Sequence, residues 1–337
     1  MFCWKRTTGT REEESGQADC PRDVMRQSIP LIALASIASA ALFLSIPGGM
    51  GAGSLMVHFV QLPLLFVGLS LGLWGFSIGS AAATVLVAAF AGGIAALVFL
   101  VLEVGPGLVT VRHALLWRQQ PDGSPDGSKE WFPLGMILNR LLLYVLAVTV
   151  AVMVWWQWQS GDIGATLMQA LDNAAGELGT TEIGASVLEL YRGIMPVVPG
   201  LAAAGLLLVS VINGAIAFKL ANRQKCSIRP NEPLRRLEVS SWYLPALMLA
   251  IAGSMVIDGN AGYMLRTGMI LLAAVFLLVG LALVHSLASR WITDRFGRIA
   301  FLSVFYFALA LFSLVAVPAV AALGLVEDRA RMRRKMS

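Results

Sequence analysis

Residues 55–79, LMVHFVQLPLLFVGLSLGLWGFSIG, decide how the rest of the sequence is read. An apolar segment of this length crosses a bilayer as a helix. Taken at 3.6 residues per turn, His58, Gln61, Leu65, Gly68, Gly72, Gly75 and Gly79 follow at steps of three or four and share one face. That face has almost no side chains. In lipid, apolar surface gains nothing by burial, so a smooth face lets a second backbone approach and dock by dispersion and weak hydrogen bonds. The sequence therefore predicts a packing seam along this helix. His58 and Gln61 are expected to point at the same neighbour, as a small polar site at one end.

Composition widens the reading to the whole chain. Of 337 residues 57% are hydrophobic and 13% charged, where an average soluble domain is roughly a quarter charged. We expect an all-α, polytopic transmembrane helix bundle of about eight spans, with nine possible. The transmembrane domain covers 29–325, between a mixed-charge tail (1–28), read as disordered and cytoplasmic, and a basic tail (326–337). The first apolar run has no small-residue cleavage site, so the first span is expected to stay as an anchor. It carries Ala35, Ser36, Ser39 and Ala40, two offset pairs of small residues that favour close helix contact. From Leu55 to Glu103 there is length for two generous crossings or three short ones, and Gly92-Gly93 marks a candidate extra turn.

Gly105, Pro106 and Gly107 are expected to break a helix before an amphipathic run holding Arg112, His113 and Arg118. The segment 121–128, PDGSPDGS, is a surface loop, and Trp131-Phe132 suit the headgroup boundary. An acidic stretch (Asp162, Asp172, Glu177, Glu182, Glu189) is the candidate outside, and the basic loop 219–238 the candidate inside. Sidedness then stays open. If 219–238 is inside, so is 104–133, and a cytoplasmic N-terminus needs four crossings before residue 104 where three are clear. One crossing likewise separates Arg290, Arg295 and Arg298 from the basic tail.

Several chemistries are not expected. The net charge of +5 sits in segments flanking apolar runs, which reads as orientation in a membrane rather than nucleic-acid binding. Cys3, Cys20 and Cys226 are far apart, and the three histidines lack zinc-motif spacing, so no metal or other cofactor is expected. There is no phosphate-binding P-loop to fuel transport. Gly68-Leu69-Ser70-Leu71-Gly72 matches a hydrolase nucleophile elbow, but that motif needs a strand-turn-helix setting this apolar context lacks, so the chain is not expected to be an enzyme.

Local patterns carry a family resemblance over roughly residues 30–330. They are the Pro63–Gly72 segment, the broken helix ending in Arg112, Glu130-Trp131-Phe132-Pro133-Leu134-Gly135, Leu237–Trp242, Gly280-Leu281-Ala282-Leu283-Val284-His285, the Tyr306 span and Gly324-Leu325. Together they resemble the YybS-like family of bacterial membrane proteins of unknown function (DUF2232). That family is in turn similar to the S components of energy-coupling-factor vitamin transporters. The resemblance implies a small-solute binding subunit of the bacterial inner membrane that relies on a coupling partner for ATP hydrolysis. The small residues of the first span would then be that partner's docking face.

Ionisable and amide groups inside spans are costly and usually face a bundle interior. The candidate ligand-binding residues are His58, Gln61, Glu103, Arg112, Asn139, Arg140, Asn213 and His285. Each has a structural alternative. Glu103 and Arg112 can pair at the membrane boundary, Asn139 and Arg140 can reach the headgroups, and Asn213 can bond another helix. His58 and His285 can bond backbone carbonyls at span ends. Helix packing is assigned to Ala35, Ser36, Ser39, Ala40, Gly68, Gly72, Gly75 and Gly79. The leading expectation is a small-solute binding or transport subunit without its own ATPase. The competing one is a membrane scaffold whose glycine faces bind other helices.

Overall fold

Gly72 has φ 86° and ψ −177°, a backbone conformation essentially closed to any residue with a Cβ. Here the long helix α2 (Gln61–Phe99) reverses. A Cβ built on Gly79 would stand 3.3 Å from Leu64 Cδ2, and one on Gly68 would stand 3.1 Å from Phe76 Cβ. Residues about fifteen apart in a straight helix are separated by roughly 22 Å, so the two sides of Gly72 lie against each other. Gly92 (φ 87°, ψ 173°) makes a second reversal, after which Gly107 comes back to the Phe76 ring. The computed structural model describes residues 5–6, 28–45, 56–119, 129–175, 182–230 and 239–330.

Three arms result, 61–71, 73–91 and 93–114. The third continues through a π-helical turn, Leu100–Val104, into α3 (Gly105–Ala114). The expected break at Gly105-Pro106-Gly107 does not occur. Pro106 removes one intrahelical bond, to Leu102 O, which the Gln61 side chain replaces, and the wider π turn absorbs the irregularity. The first and third arms run in parallel, with Leu65 against Gly107 and Gly68 against Val111.

Helix α1 (Ser28–Leu44) packs along α2 with Ala35, Ser36, Ser39 and Ala40 all buried. The Ser36 hydroxyl lies 2.7 Å from Ile32 O and 3.0 Å from Gly79 O, and Ser39 Oγ donates to Val60 O at 2.7 Å. The small-residue face expected to receive a coupling partner is therefore filled by this chain's own helix. Gly68, Gly72, Gly75 and Gly79 are buried too, but not on one face. Gly68 meets α3, Gly75 meets Val67 and Leu71 across the reversal, and Gly79 meets Leu64 and α1.

After α3 the chain forms a small antiparallel sheet in the order β1 (Lys5–Arg6), β2 (Leu116–Gln119), β3 (Lys129–Trp131). Arg118 is thus on a strand rather than on an amphipathic helix, because the helix ends at Ala114. The PDGSPDGS loop, the glycine-rich loop after α1, Leu55, Cys3, Cys20, Glu177, Arg235, Arg236 and most of both tails lie outside the described residues. The remaining helices are α4 (Leu134–Ser160), α5 (Ile163–Ala175), α6 (Glu182–Ile194), α7 (Val198–Arg223), α8 (Tyr243–Val256), α9 (Gly259–Trp291), α10 (Arg295–Leu311) and α11 (Ser313–Ala330).

The chain divides into two units, Met1–Tyr144 with Val209–Pro233, and Val145–Leu208 with Leu234–Ser337. In the second, Gly280 abuts the Val320 carbonyl and Gly324 abuts the Phe276 carbonyl, so α11 runs antiparallel along α9 with its backbone in contact. Helices α10 and α11 are bent by 120° at their junction. Asn260 donates to Gly161 O at 2.8 Å and accepts from Ile163 N at 3.0 Å, which clamps the α4–α5 turn.

Four helical runs among the described residues are long and apolar enough to cross a membrane, or five if α10 and α11 form one span. The expected eight are not reached on that measure. Residues 61–114 count there as one run, because glycine reversals rather than loops separate their arms, and α1 and α8 are short. Large apolar side chains such as Val85, Phe90, Ile94, Met255 and Phe307 are exposed, as a lipid-facing surface requires.

A side chain at Gly68 must displace Val111, whose Cγ2 would stand 2.7 Å from the new Cβ, whereas Gly93 faces open space. Overpacking of this kind costs about 1–3 kcal/mol. Gly68→Leu is expected to lower the thermal midpoint of the detergent-purified protein by several degrees and Gly93→Ala to leave it unchanged. Equal midpoints for both variants would refute this placement of the first arm.

Candidate functional site

Gln61 opens the first arm of α2 with 1% of its surface exposed. Its amide nitrogen donates to Leu102 O at 3.2 Å, and Glu103, half-buried, lies beside the same side chain. A backbone carbonyl can only accept, so the atom facing Leu102 is the NH2 group. The other end, Oε1, is buried with no partner.

Leu102 O is available because the residue four positions on, Pro106, has no N–H to donate, and Val101 O because the Gly105 N–H bonds Leu100 O instead. Widening the helix to i→i+5 bonding disturbs the regular carbonyl ladder at Leu100–Val104. Side chains from other helices take up what is released. Tyr144 on α4 donates its hydroxyl to Val101 O at 2.8 Å, beside Gln61 on Leu102 O. Gly105 makes this possible, since any Cβ there would collide with the Tyr144 hydroxyl.

Asn213 repeats the pattern on α7. It sits in the middle of that helix, 1% exposed, and its Nδ2 donates to His58 O at 2.6 Å. Oδ1 is again buried without a partner. His58 itself belongs to a 3-10 turn, Val57–Phe59, and its side chain is exposed. The helical register does not extend back to it, so the imidazole and Gln61 do not share a face. What His58 contributes inside is its carbonyl, within one turn of Gln61.

The first unit thus gathers Gln61, Glu103, Asn213 and the His58 backbone. Arg112 and Arg140 are exposed at the other end of the third arm, near enough to His113 to interact with it electrostatically, and Asn139 is half-buried beside them. His285 belongs to the second unit, where Nε2 lies 2.8 Å from the Tyr306 hydroxyl on α10. Ser70 lies inside the helical first arm, away from any strand-to-helix turn. Among the described residues no three of His, Cys, Asp or Glu form a metal cluster.

Arg229 was not singled out from the sequence, where it reads as one more charge in a basic loop. It is 2% exposed, with Nη1 3.4 Å from Ala114 O at the end of α3 and its guanidinium carbon 6.0 Å from the Trp131 ring centroid. A cation there complements the negative end of the helix. The preceding Ile228 donates its N–H to Leu69 O at 3.2 Å, just before the Gly72 reversal. An isoleucine and a proline flanking Arg229 among charged residues are the available signal. On the sheet, Arg118 pairs with Glu130 at 2.6 Å, a hydrogen bond that holds the guanidinium above its ordinary pKa.

Gly105→Ala pushes against a single atom group, the Tyr144 phenol. It is expected to lower the thermal midpoint, and Tyr144→Phe alone to cost about 1–2 kcal/mol by leaving Val101 O without its donor. The double variant is expected to be less destabilised than the sum, because removing the hydroxyl makes room for the methyl. Strict additivity in a double-mutant cycle would disprove the contact.

The comparisons with known proteins bear on identity rather than chemistry. No curated protein matches the chain, nor does any solved structure. The model of one family, described as predicted membrane protein (DUF2232), matches residues 34–327, and the chain belongs to that family.

Proposed function

We propose that this chain is a multi-pass protein of the bacterial cytoplasmic membrane that holds a small polar solute at the start of the first α2 arm, without chemistry of its own, and depends on a partner subunit for energy. The observation that supports this reading is the start of an arm level with the middle of α7, where Asn213 reaches His58 O, with buried Gln61 three residues further on and half-buried Glu103 against it. A helix that begins at membrane depth among buried polar groups is how many transporters build a binding site. The test is a thermal-shift series on purified protein with vitamins, amino acids and other polar metabolites. At least one is expected to raise the midpoint in wild type and not in Asn213→Leu. A flat response across the series counts against solute binding and leaves the scaffold reading, in which no ligand is needed.

Nine crossings fit this reading: α1, the three arms of 61–114, α4, α7, α8, α9, and the α10–α11 pair as one bent span. The pairing of Lys5–Arg6 with Leu116–Trp117 supports it, since it places the N-terminal strand on the same side as the β2–β3 hairpin. That requires an even number of crossings between them, and α1 plus three arms gives four. Single cysteines replacing Ser45 and Gln119 are expected to react with an impermeant maleimide from opposite sides of sealed vesicles. Labelling of both from one side would reduce the arms to an even number.

A further inference from the structure

We infer that the polar cluster around Gln61 and Glu103 takes a monovalent inorganic cation, with sodium as the probe, held by Gln61 Oε1, the Glu103 carboxylate and Asn213 Oδ1. The inference rests on the location of the site given above, but not on the identity of any organic solute. Two buried amides have their orientation fixed by the same device. Each gives its NH2 to a backbone carbonyl, Leu102 O for Gln61 and His58 O for Asn213, and each is left with a buried oxygen that no donor reaches. Both residues are 1% exposed. An unpartnered buried acceptor is costly. Here one belongs to the residue in contact with the Glu103 carboxylate, and the other to Asn213, which bonds the backbone three residues before Gln61.

Every unused polar atom in this group is an acceptor oxygen. Such a set matches a hard cation, which prefers carboxylate and amide oxygens, and it lacks the nitrogen and sulfur ligands of a zinc or copper site. One carboxylate balances one positive charge, which favours a monovalent over a divalent ion at this depth. The Leu102 carbonyl, which accepts from Gln61 through one lone pair, has a second to offer, so backbone at the π turn can join the shell, as unwound segments do around ions in transporters.

The experiment uses the full chain in detergent, with its midpoint read against sodium, lithium, potassium and choline chlorides at equal ionic strength. Sodium is expected to raise the wild-type midpoint saturably over choline, and Glu103→Gln to weaken the apparent sodium affinity at least tenfold. If Glu103→Gln cannot be purified, Gln61→Leu is expected to show the same loss. Identical midpoints in all four salts overturn the inference, as does a full sodium effect in Glu103→Gln or Gln61→Leu. Stabilisation by methylammonium with none by sodium also overturns it, since an amine site is a different assignment. A sodium effect with no response to the metabolite series leaves the cation site standing and removes the organic solute. A metabolite response without any sodium effect does the reverse.

Discussion

A backbone carbonyl at membrane depth must find a donor inside the protein, because hydrocarbon offers none. The first unit is arranged by that requirement. At the Gly72 reversal, the 3-10 turn and the π turn, a donor is delivered from elsewhere in the chain. Ile228 N–H serves Leu69 O before the Gly72 reversal, and Ser39 and Asn213 serve Val60 O and His58 O around the 3-10 turn. Tyr144 and Gln61 serve Val101 O and Leu102 O in the π turn. Elements far apart in sequence are tied together at these points. Without the interruptions, α1, α4 and α7 would meet the first unit through apolar contact alone, which in lipid carries little preference for one arrangement over another.

The same logic explains why Gly72 matters more than its missing side chain. Its conformation is of the kind that costs other residues about 1–3 kcal/mol, and in exchange the chain folds back within a single residue. Two arms then press together, with Phe76 Cβ against Gly68 and the Leu64 side chain against Gly79. In the second unit, Gly280 and Gly324 do a related job without any reversal, bringing the backbones of α9 and α11 into contact.

Much of this was legible in the sequence as class and little as connection. The small residues Ala35, Ser36, Ser39 and Ala40 announce a close helix contact, and they make one, but nothing in their spacing tells an internal neighbour from an external partner. The glycines at 68, 72, 75 and 79 fit a 3.6-residue period, and period alone extends a helix straight through Gly72, since a glycine that permits close packing and one that permits reversal are the same letter. Extending that period back to His58 fails for the opposite reason, because a 3-10 turn rotates the side chain off the face. Gly105-Pro106-Gly107 has the composition of a break, yet a preceding π turn lets the helix continue. Arg229 is hidden by its company. A buried cation inside a basic loop looks like the others until the carbonyl and the indole it meets are placed beside it.

The unspent acceptors follow from this arrangement. An amide side chain recruited to satisfy a carbonyl brings two groups and uses one, so each such repair creates a new buried oxygen unless a second donor is also supplied. Tyr144, Ser39 and the Ile228 N–H make their repairs with hydroxyl or backbone donors, which leave no amide oxygen behind. Gln61 and Asn213 make theirs with amides, and both do so at the start of the first arm, one of them against the carboxylate of Glu103. A helix interface that needed only to be closed could have used serine or threonine at both positions, as it does elsewhere in the same unit. The choice of amides near a half-buried carboxylate leaves acceptor oxygens without donors around the start of the arm, and those oxygens are what a passing cation would meet.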